Sequence, residues 1–334
     1  MARPSPLLLR RCASERYNGL QVRRHFLLSA GYEVTGEYEI ASEEIVTAMA
    51  GSMHIGSTEL LVLSDGRCRM DGGALFGLVP RVLWMRYYEP DERNRLPLAL
   101  NCLLLRSGGK TIIVETGIGE KLDERARDIF AVEKPAHGGL LGDLARHGVA
   151  PEDVDIVINT HLHADHCGGN TLWKDSRAVP AFPRAEYWAV RGEWEDATHP
   201  NERTRATYLA ENLLPVQESG QLRLIEGEAQ VTDEVRIRPA PGHTRNHVIV
   251  EIAGGGRVFQ FWGDVAQNRV QIERLAWISA FDTFPLDSLE TKRRLIREAI
   301  ERQAIVLLAH EPQPGRLRPA EGNLACIFEP VALE

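Results

Sequence analysis

The chain has 334 residues, 43% of them hydrophobic and 26% charged, which are the proportions of a soluble globular protein. Its 39 Lys and Arg against 47 Asp and Glu leave a net charge of −8 with no basic stripe along the body, so nucleic acid is disfavoured as a partner. Apolar runs such as Ala304 to Ala309 fall far short of the ~20 residues of a membrane-spanning helix, so no membrane is expected either.

Residues 1–52 differ from all that follows. Arg3, Arg10, Arg11, Arg16, Arg23 and Arg24 are opposed only by Glu15, and an acidic stretch from Glu33 to Glu44 comes next. Leu7-Leu8-Leu9 is too short for the apolar core of a signal peptide, and Gly31-Tyr32-Glu33 cuts off the apolar run behind Arg23-Arg24. The expectation is a poorly ordered, non-core extension ahead of a single domain spanning residues 53–334.

Strand and helix then alternate. Thr58 to Leu63, Leu98 to Leu105 and Lys110 to Val114 read as strands, and Gly139 to Arg146 as a short helix. The apolar run Val154 to Ile158 leads into Thr160-His161-Leu162-His163-Ala164-Asp165-His166-Cys167-Gly168, which packs three histidines and an aspartate into six positions. Imidazole and carboxylate are the groups that divalent metals bind, and a solvated loop rarely collects four of them. Further along, Val235 to Arg238 is followed by His243 on a glycine-assisted turn, Val258 to Trp262 by Asp264, and Ile305 to Ala309 by His310. Each metal-competent residue stands where a strand stops, which is where catalytic groups concentrate. Asp287 with Glu290 has the form of a capping box, and Leu286, Leu289, Ile296 and Ile300 recur at helical spacing, predicting a helix ahead of the His310 strand.

Five cysteines (Cys12, Cys68, Cys102, Cys167 and Cys326) lack C-x-x-C spacing, which fits a reducing, cytoplasmic compartment. Cys167, beside His166, reads as a buried free thiol.

The ordered set His161, His163, Asp165, His166, His243, Asp264 and His310 resembles that of the metallo-β-lactamase superfamily, over about residues 57 to 330. The resemblance implies an α/β fold, the αβ/βα four-layer metallo-β-lactamase sandwich. It also implies two divalent metal ions per chain: His161, His163 and His243 on one, Asp165, His166 and His310 on the other, and Asp264 bridging both. Zinc is the first expectation, although iron, cobalt and manganese suit mixed N and O donors equally. Two ions roughly 3.5–4 Å apart can share a bridging hydroxide formed near neutral pH, so hydrolysis is the expected reaction. In this family the carboxylate corresponding to Asp165 is often given a proton-shuttling role.

Asp71 to Pro80 with Val82-Leu83-Trp84, the segment Thr116 to Gly119, the insertion around Gly192 to Ala197 and the pair Phe281-Asp282 resemble the lactonase-like branch that includes quorum-quenching N-acyl-homoserine lactonases. This implies opening of lactones or cleavage of related carboxylic esters. A phosphotriesterase or phosphodiesterase using the same dinuclear site is the alternative. Phe76, Leu78 and Trp84 either wall a substrate pocket or pack core, and Tyr187 and Tyr208 are the candidate pocket tyrosines. Glu115-Thr116-Gly117 stands where relatives carry Asp-Thr-Gly, one methylene longer. His247 and His199 read as structural or surface histidines. A small-molecule substrate is the expected partner, and homodimer formation is left open.

Overall fold

The computed structural model describes residues 52–333, so the expected extension lies outside the described residues apart from Ser52. In chain order the strands are β1 (Ser52–Ile55), β2 (Thr58–Asp71), β3 (Arg95–Ser107), β4 (Lys110–Val114), β5 (Ile156–Ile158), β6 (Thr171–Lys174), β7 (Arg177–Pro180) and β8 (Glu186–Val190). They continue with β9 (Leu222–Ile225), β10 (Ala229–Gln230), β11 (Val235–Pro239), β12 (Val248–Gly254), β13 (Arg257–Phe261), β14 (Ile305–Leu307), β15 (Gly315–Arg318) and β16 (Ile327–Pro330). The helices are α1 (Gly72–Phe76), α2 (Arg81–Trp84), α3 (Glu124–Phe130), α4 (Gly139–Arg146), α5 (Ala164–Cys167), α6 (Arg191–Thr198), α7 (Ala210–Glu218), α8 (Arg269–Glu273) and α9 (Pro285–Glu301). None is long and apolar enough to cross a membrane.

Two seven-stranded sheets carry the fold, ordered β1-β2-β3-β4-β5-β8-β9 and β10-β11-β12-β13-β14-β15-β16, with β6 and β7 as a separate hairpin. Period-two alternation shows why they stack. Leu60 and Val62 face a core shared with Ile237, Val250, Phe259 and Phe261 of the second sheet, while Leu61 and Leu63 face Leu140 and Leu144 of α4. On the far side, Ile249, Trp262 and Val306 pack against Leu295, Ile296 and Ala299 of α9. The layers are therefore helix, sheet, sheet, helix, the sandwich expected. Each fully buried Leu, Ile, Val or Phe contributes roughly 1.5–3 kcal/mol.

Parallel pairing occurs at β4–β5, β5–β8, β8–β9 and β13–β14. β5 and β14 are buried at every residue, as strands covered on both faces must be. The ends of β5, β11, β13 and β14 open onto one edge, and ligands in α/β sheets gather outside the carboxyl ends of strands.

One helix differs from its expectation. α9 starts at Pro285 after Phe284, so Asp287 lies in the first turn and caps nothing. Proline at the first helical position has its φ already set and loses no needed N–H. With that start the buried face is Ser288, Thr291, Lys292, Leu295, Ile296 and Ala299, and Leu286 is 77% exposed.

Candidate metal centre

Residues 160–163 leave β5, and α5 opens at Ala164, placing Asp165 and His166 on its single turn. His243 follows β11, where Gly242 (φ +143) passes so close to α9 that an added Cβ would meet the Ser288 Cα at 2.4 Å. Asp264 follows Gly263 (φ +53), at which an added Cβ would stand 2.6 Å from Thr160 Oγ1 and 2.8 Å from His247 Nε2. Only glycine fits that turn. His310 follows β14 directly behind Leu308-Ala309.

The seven residues meet. His163 Nδ1 lies 3.0 Å from His243 Nε2, and donor atoms of His161, His163 and His243 all fall within 4.8 Å of one another. Asp165, His166 and His310 form a second group by the same measure. Asp264 stands between them. Its Oδ1 is 3.5 Å from His166 Nε2 and 3.2 Å from His310 Nε2, and its Oδ2 is 3.3 Å from His243 Nε2.

Whether these residues fit a metal is tested by their unpaired atoms. His161 Nε2, His166 Nε2 and Asp264 Oδ1 are buried with no hydrogen-bond partner. Each such atom costs about 1–3 kcal/mol if left unmet. Imidazole and carboxylate converging without competing donors match a divalent cation, so the residues fit. Charge points the same way. Asp264 is held well below the usual carboxylate range: burial opposes this, and His310, His166 and His243 outweigh it. Burial likewise works to lower His166, but Asp264 and Asp165 raise it to about 10. Burial and then the neighbouring histidines hold His161 and His163 well below the usual imidazole range, so these two rings stand neutral while positive charge is favoured beside Asp264.

Behind the rings a further set of groups fixes their orientation, as outer hydrogen bonds to metal-binding histidines do. His243 Nδ1 lies 2.9 Å from Asp282 Oδ1, His310 Nδ1 2.8 Å from the Ala99 carbonyl, and His161 Nδ1 3.1 Å from Thr160 Oγ1. Gln267 Nε2 donates to Asp264 Oδ2 (3.2 Å), and the Asp264 N–H donates to His247 Nε2 (3.1 Å). Burial, then His243, lowers His247 to about 3, so it is a neutral acceptor and a support, in keeping with its structural reading. Glu115, at φ +62, accepts the Thr160 N–H at Oε1 (2.8 Å) and places Oε2 3.6 Å from His166 Nδ1. Burial raises its pKa to about 7.

A family model described as the metallo-beta-lactamase superfamily matches residues 95–310. The chain belongs to that superfamily. Like other metallo-beta-lactamase-fold enzymes it is a metal-dependent hydrolase. It is similar to an N-acyl homoserine lactonase of Bacillus sp., 27% identical over 268 residues that cover 77% of this chain and 95% of the relative. A probable metal-dependent hydrolase from Staphylococcus aureus superposes with a TM-score of 0.75 at 28% identity, covering 84% of this chain and 99% of that one. AidC, a dizinc quorum-quenching lactonase, superposes with a TM-score of 0.69, covering 86% and 99%; at 19% identity it shows the fold alone.

In this member of the metallo-beta-lactamase superfamily the cavity over the centre has a volume of about 170 Å³ and reaches His163, Asp165, His243, Asp264 and His310. A larger one of about 310 Å³, beside α4, touches none of the seven, so chemistry rather than size identifies the site. The wall is not the one expected. It consists of Met70, Leu75, Leu98, Ile118, Leu122 and Phe130, with Cys68, Phe281 and the polar Thr207 and Gln267. Phe76 and Trp84 are buried and stack on each other behind it, centroids 5.4 Å apart. Leu78 is fully exposed. Tyr187 lies in the core beneath α4, its hydroxyl donating to the Asn170 carbonyl (3.0 Å) and accepting the Phe182 N–H (2.9 Å). Tyr208 comes nearest, its ring 5.0 Å from that of His163, but its hydroxyl donates to Glu193 (3.1 Å). Cys167 is a buried thiol that donates to the Leu162 carbonyl (3.2 Å).

The sequence reading missed Gln267, Phe130 and the supporting role of Asp282. Asp282 stood in the noted pair Phe281-Asp282; Phe130 and Gln267 carried no signal, since their meaning comes only from what they face.

Proposed function

We propose that this chain is a dinuclear hydrolase that opens lactones or cleaves related carboxylic esters. His161, His163 and His243 hold one divalent ion, Asp165, His166 and His310 the other, and Asp264 is shared. The observation that carries the reading is Asp264, whose two oxygens face two different histidine groups. Zinc is the proposed ion; the nitrogen and oxygen donors suit iron, cobalt and manganese as well, and metal analysis decides among them. Two such ions supply Lewis acidity for the scissile carbonyl and an ionised water at neutral pH.

The chain's own side chains do the rest. Asp165, 25% exposed at its side chain and lining the cavity, is placed to pass a proton to the leaving alkoxide. Gln267 and His247 hold Asp264 in orientation. The apolar wall takes the acyl or alkyl part of the substrate and keeps bulk water away. Among the described residues lining the cavity there is no Lys or Arg, which favours a neutral ester over an anionic phosphodiester. The relative that carries the lactonase name supports the same choice. Buried free Cys68, Cys102, Cys167 and Cys326 support a reducing, cytoplasmic location.

The test joins metal analysis to a substrate panel: an acyl-homoserine lactone, a δ-lactone, a phosphotriester, a phosphodiester and a β-lactam. Two ions per chain and highest kcat/KM on a lactone are expected. A single ion together with an inert His310→Ala would end the dinuclear reading, and preference for the phosphotriester would replace the lactone one.

A further inference from the structure

The insertion that follows β8 has no part in the chemistry above, yet it places Glu193, in the first turn of α6, at the back of the metal centre. The side chain is buried and accepts three hydrogen bonds. At Oε1 it takes the Leu162 N–H (3.1 Å) and the Tyr208 hydroxyl (3.1 Å), and at Oε2 the Thr244 hydroxyl (2.6 Å). Each donor belongs with one member of the first histidine group. Leu162 lies between His161 and His163, the Tyr208 ring packs on His163, and Thr244 follows His243. Gly192 brings α6 close enough for this, since an added Cβ would meet the Asn246 side chain at 2.6 Å.

The second histidine group has a different carboxylate behind it. Glu115 takes the Thr160 N–H and stands near His166. The peptide N–H groups on either side of His161 therefore end on two buried glutamates from separate elements.

We propose that Glu193 is the positioning residue of the first metal position, fastening the His161–His163 loop to the His243 loop so that their three nitrogens converge. The proposal rests on the dinuclear reading. A buried carboxylate is costly unless its oxygens are met, and here the Leu162 and Thr244 donors come from the two segments that must be brought together, while the third, Tyr208, packs its ring on His163. A purely structural role would lower stability and leave the metal affinity of the folded protein unchanged. Positioning instead weakens one ion and spares the other, and removing an outer partner of a metal ligand typically costs 10–100-fold in affinity.

Metal-free wild type, Glu193→Ala and Glu193→Gln are titrated with Zn²⁺ against a chromophoric chelator. Cadmium NMR of the cadmium-loaded proteins separates the two positions, with His161→Ala and His310→Ala marking which resonance is which. Glu193→Ala is expected to weaken the first position by about 10–100-fold and the second by less than about 3-fold. Glu193→Gln keeps an oxygen for Leu162 and Tyr208 and recovers most of the loss. Should Glu193→Ala not fold, Thr244→Val removes a single donor and is expected to weaken the same position by a smaller factor. Unchanged affinities in a folded variant, or equal loss at both positions, would overturn the proposal. If wild type binds only one ion, the dinuclear reading fails by itself, and the Glu193 proposal is then decided by whether Glu193→Ala weakens that ion.

Discussion

The metal centre and the wall of the cavity above it are built by opposite means, the centre behind β5, β11, β13 and β14, the wall from β2, β3, α1, α3 and the loops beside them. In the centre, each position demands one of very few residue types, because only imidazole or carboxylate can meet a cation there. In the wall, any apolar residue serves, and facing the cavity or the core requires no change of type. Leu75 lines the cavity while its neighbour Phe76 is buried behind it. Polar groups at a strand end announce their purpose; apolar ones acquire it from packing.

Asp264→Ala tests that comparison most severely. Loss of the shared carboxylate is expected to release metal from both groups and lower kcat/KM by on the order of 10³-fold, read by metal analysis and steady-state kinetics on the loaded protein. Retention of two ions would dissolve the distinction between a metal carboxylate and a structural one.

Trp84→Ala comes next. As a buried ring stacked on Phe76 it is expected to cost about 3–5 kcal/mol in denaturant unfolding while leaving chain-length preference intact. A change in preference among short and long acyl lactones would return Trp84 to the wall.

Glu251 sharpens the comparison from outside both regions, as a buried carboxylate fully met by protein. It accepts from Arg236, Arg238, Arg302 and Gln260, whereas Asp264 Oδ1 has no protein donor. Burial would raise its pKa, but the hydrogen bonds from Arg302, Gln260 and Arg236 and the charge of Arg238 bring it down to about 2. A pKa depressed on folding adds stability that is fully present above the unfolded value near 4.5 and is lost as pH falls toward about 2. Glu251→Gln is therefore expected to cost about 3 kcal/mol near neutral pH, with the gap to wild type narrowing between pH 5 and pH 2 in urea melts. A gap that stays constant over that range would remove the ionised carboxylate as its cause.

The smallest effects concern the wall itself. Phe130→Ala is expected to raise KM for long-chain lactones about 10-fold relative to short ones, and Leu78→Ser to change stability by no more than about 0.5 kcal/mol. Equal KM shifts for both chain lengths would take Phe130 out of the substrate's path.

What could be read from the sequence follows the same division. The strands at Lys110 to Val114 and the helix at Gly139 to Arg146 were legible because their apolar periodicity is local. The seven metal-competent residues stood out because His161 to His166 crowd behind one such run and His243, Asp264 and His310 each follow another. The start of α9 was misjudged because Asp287 and Glu290 satisfy the capping pattern, yet Pro285 with its preset φ begins the helix earlier. Tyr187 and Tyr208 could not be separated by sequence, since only the fold shows that one hydroxyl serves Asn170 and the other Glu193.

The order of the metal-competent residues along the chain has a consequence for how the site is assembled. His161 and His163 leave the ribosome long before His243 and Asp264, and His310, behind β14, comes last of the seven. A growing chain thus holds an incomplete donor set for most of its synthesis.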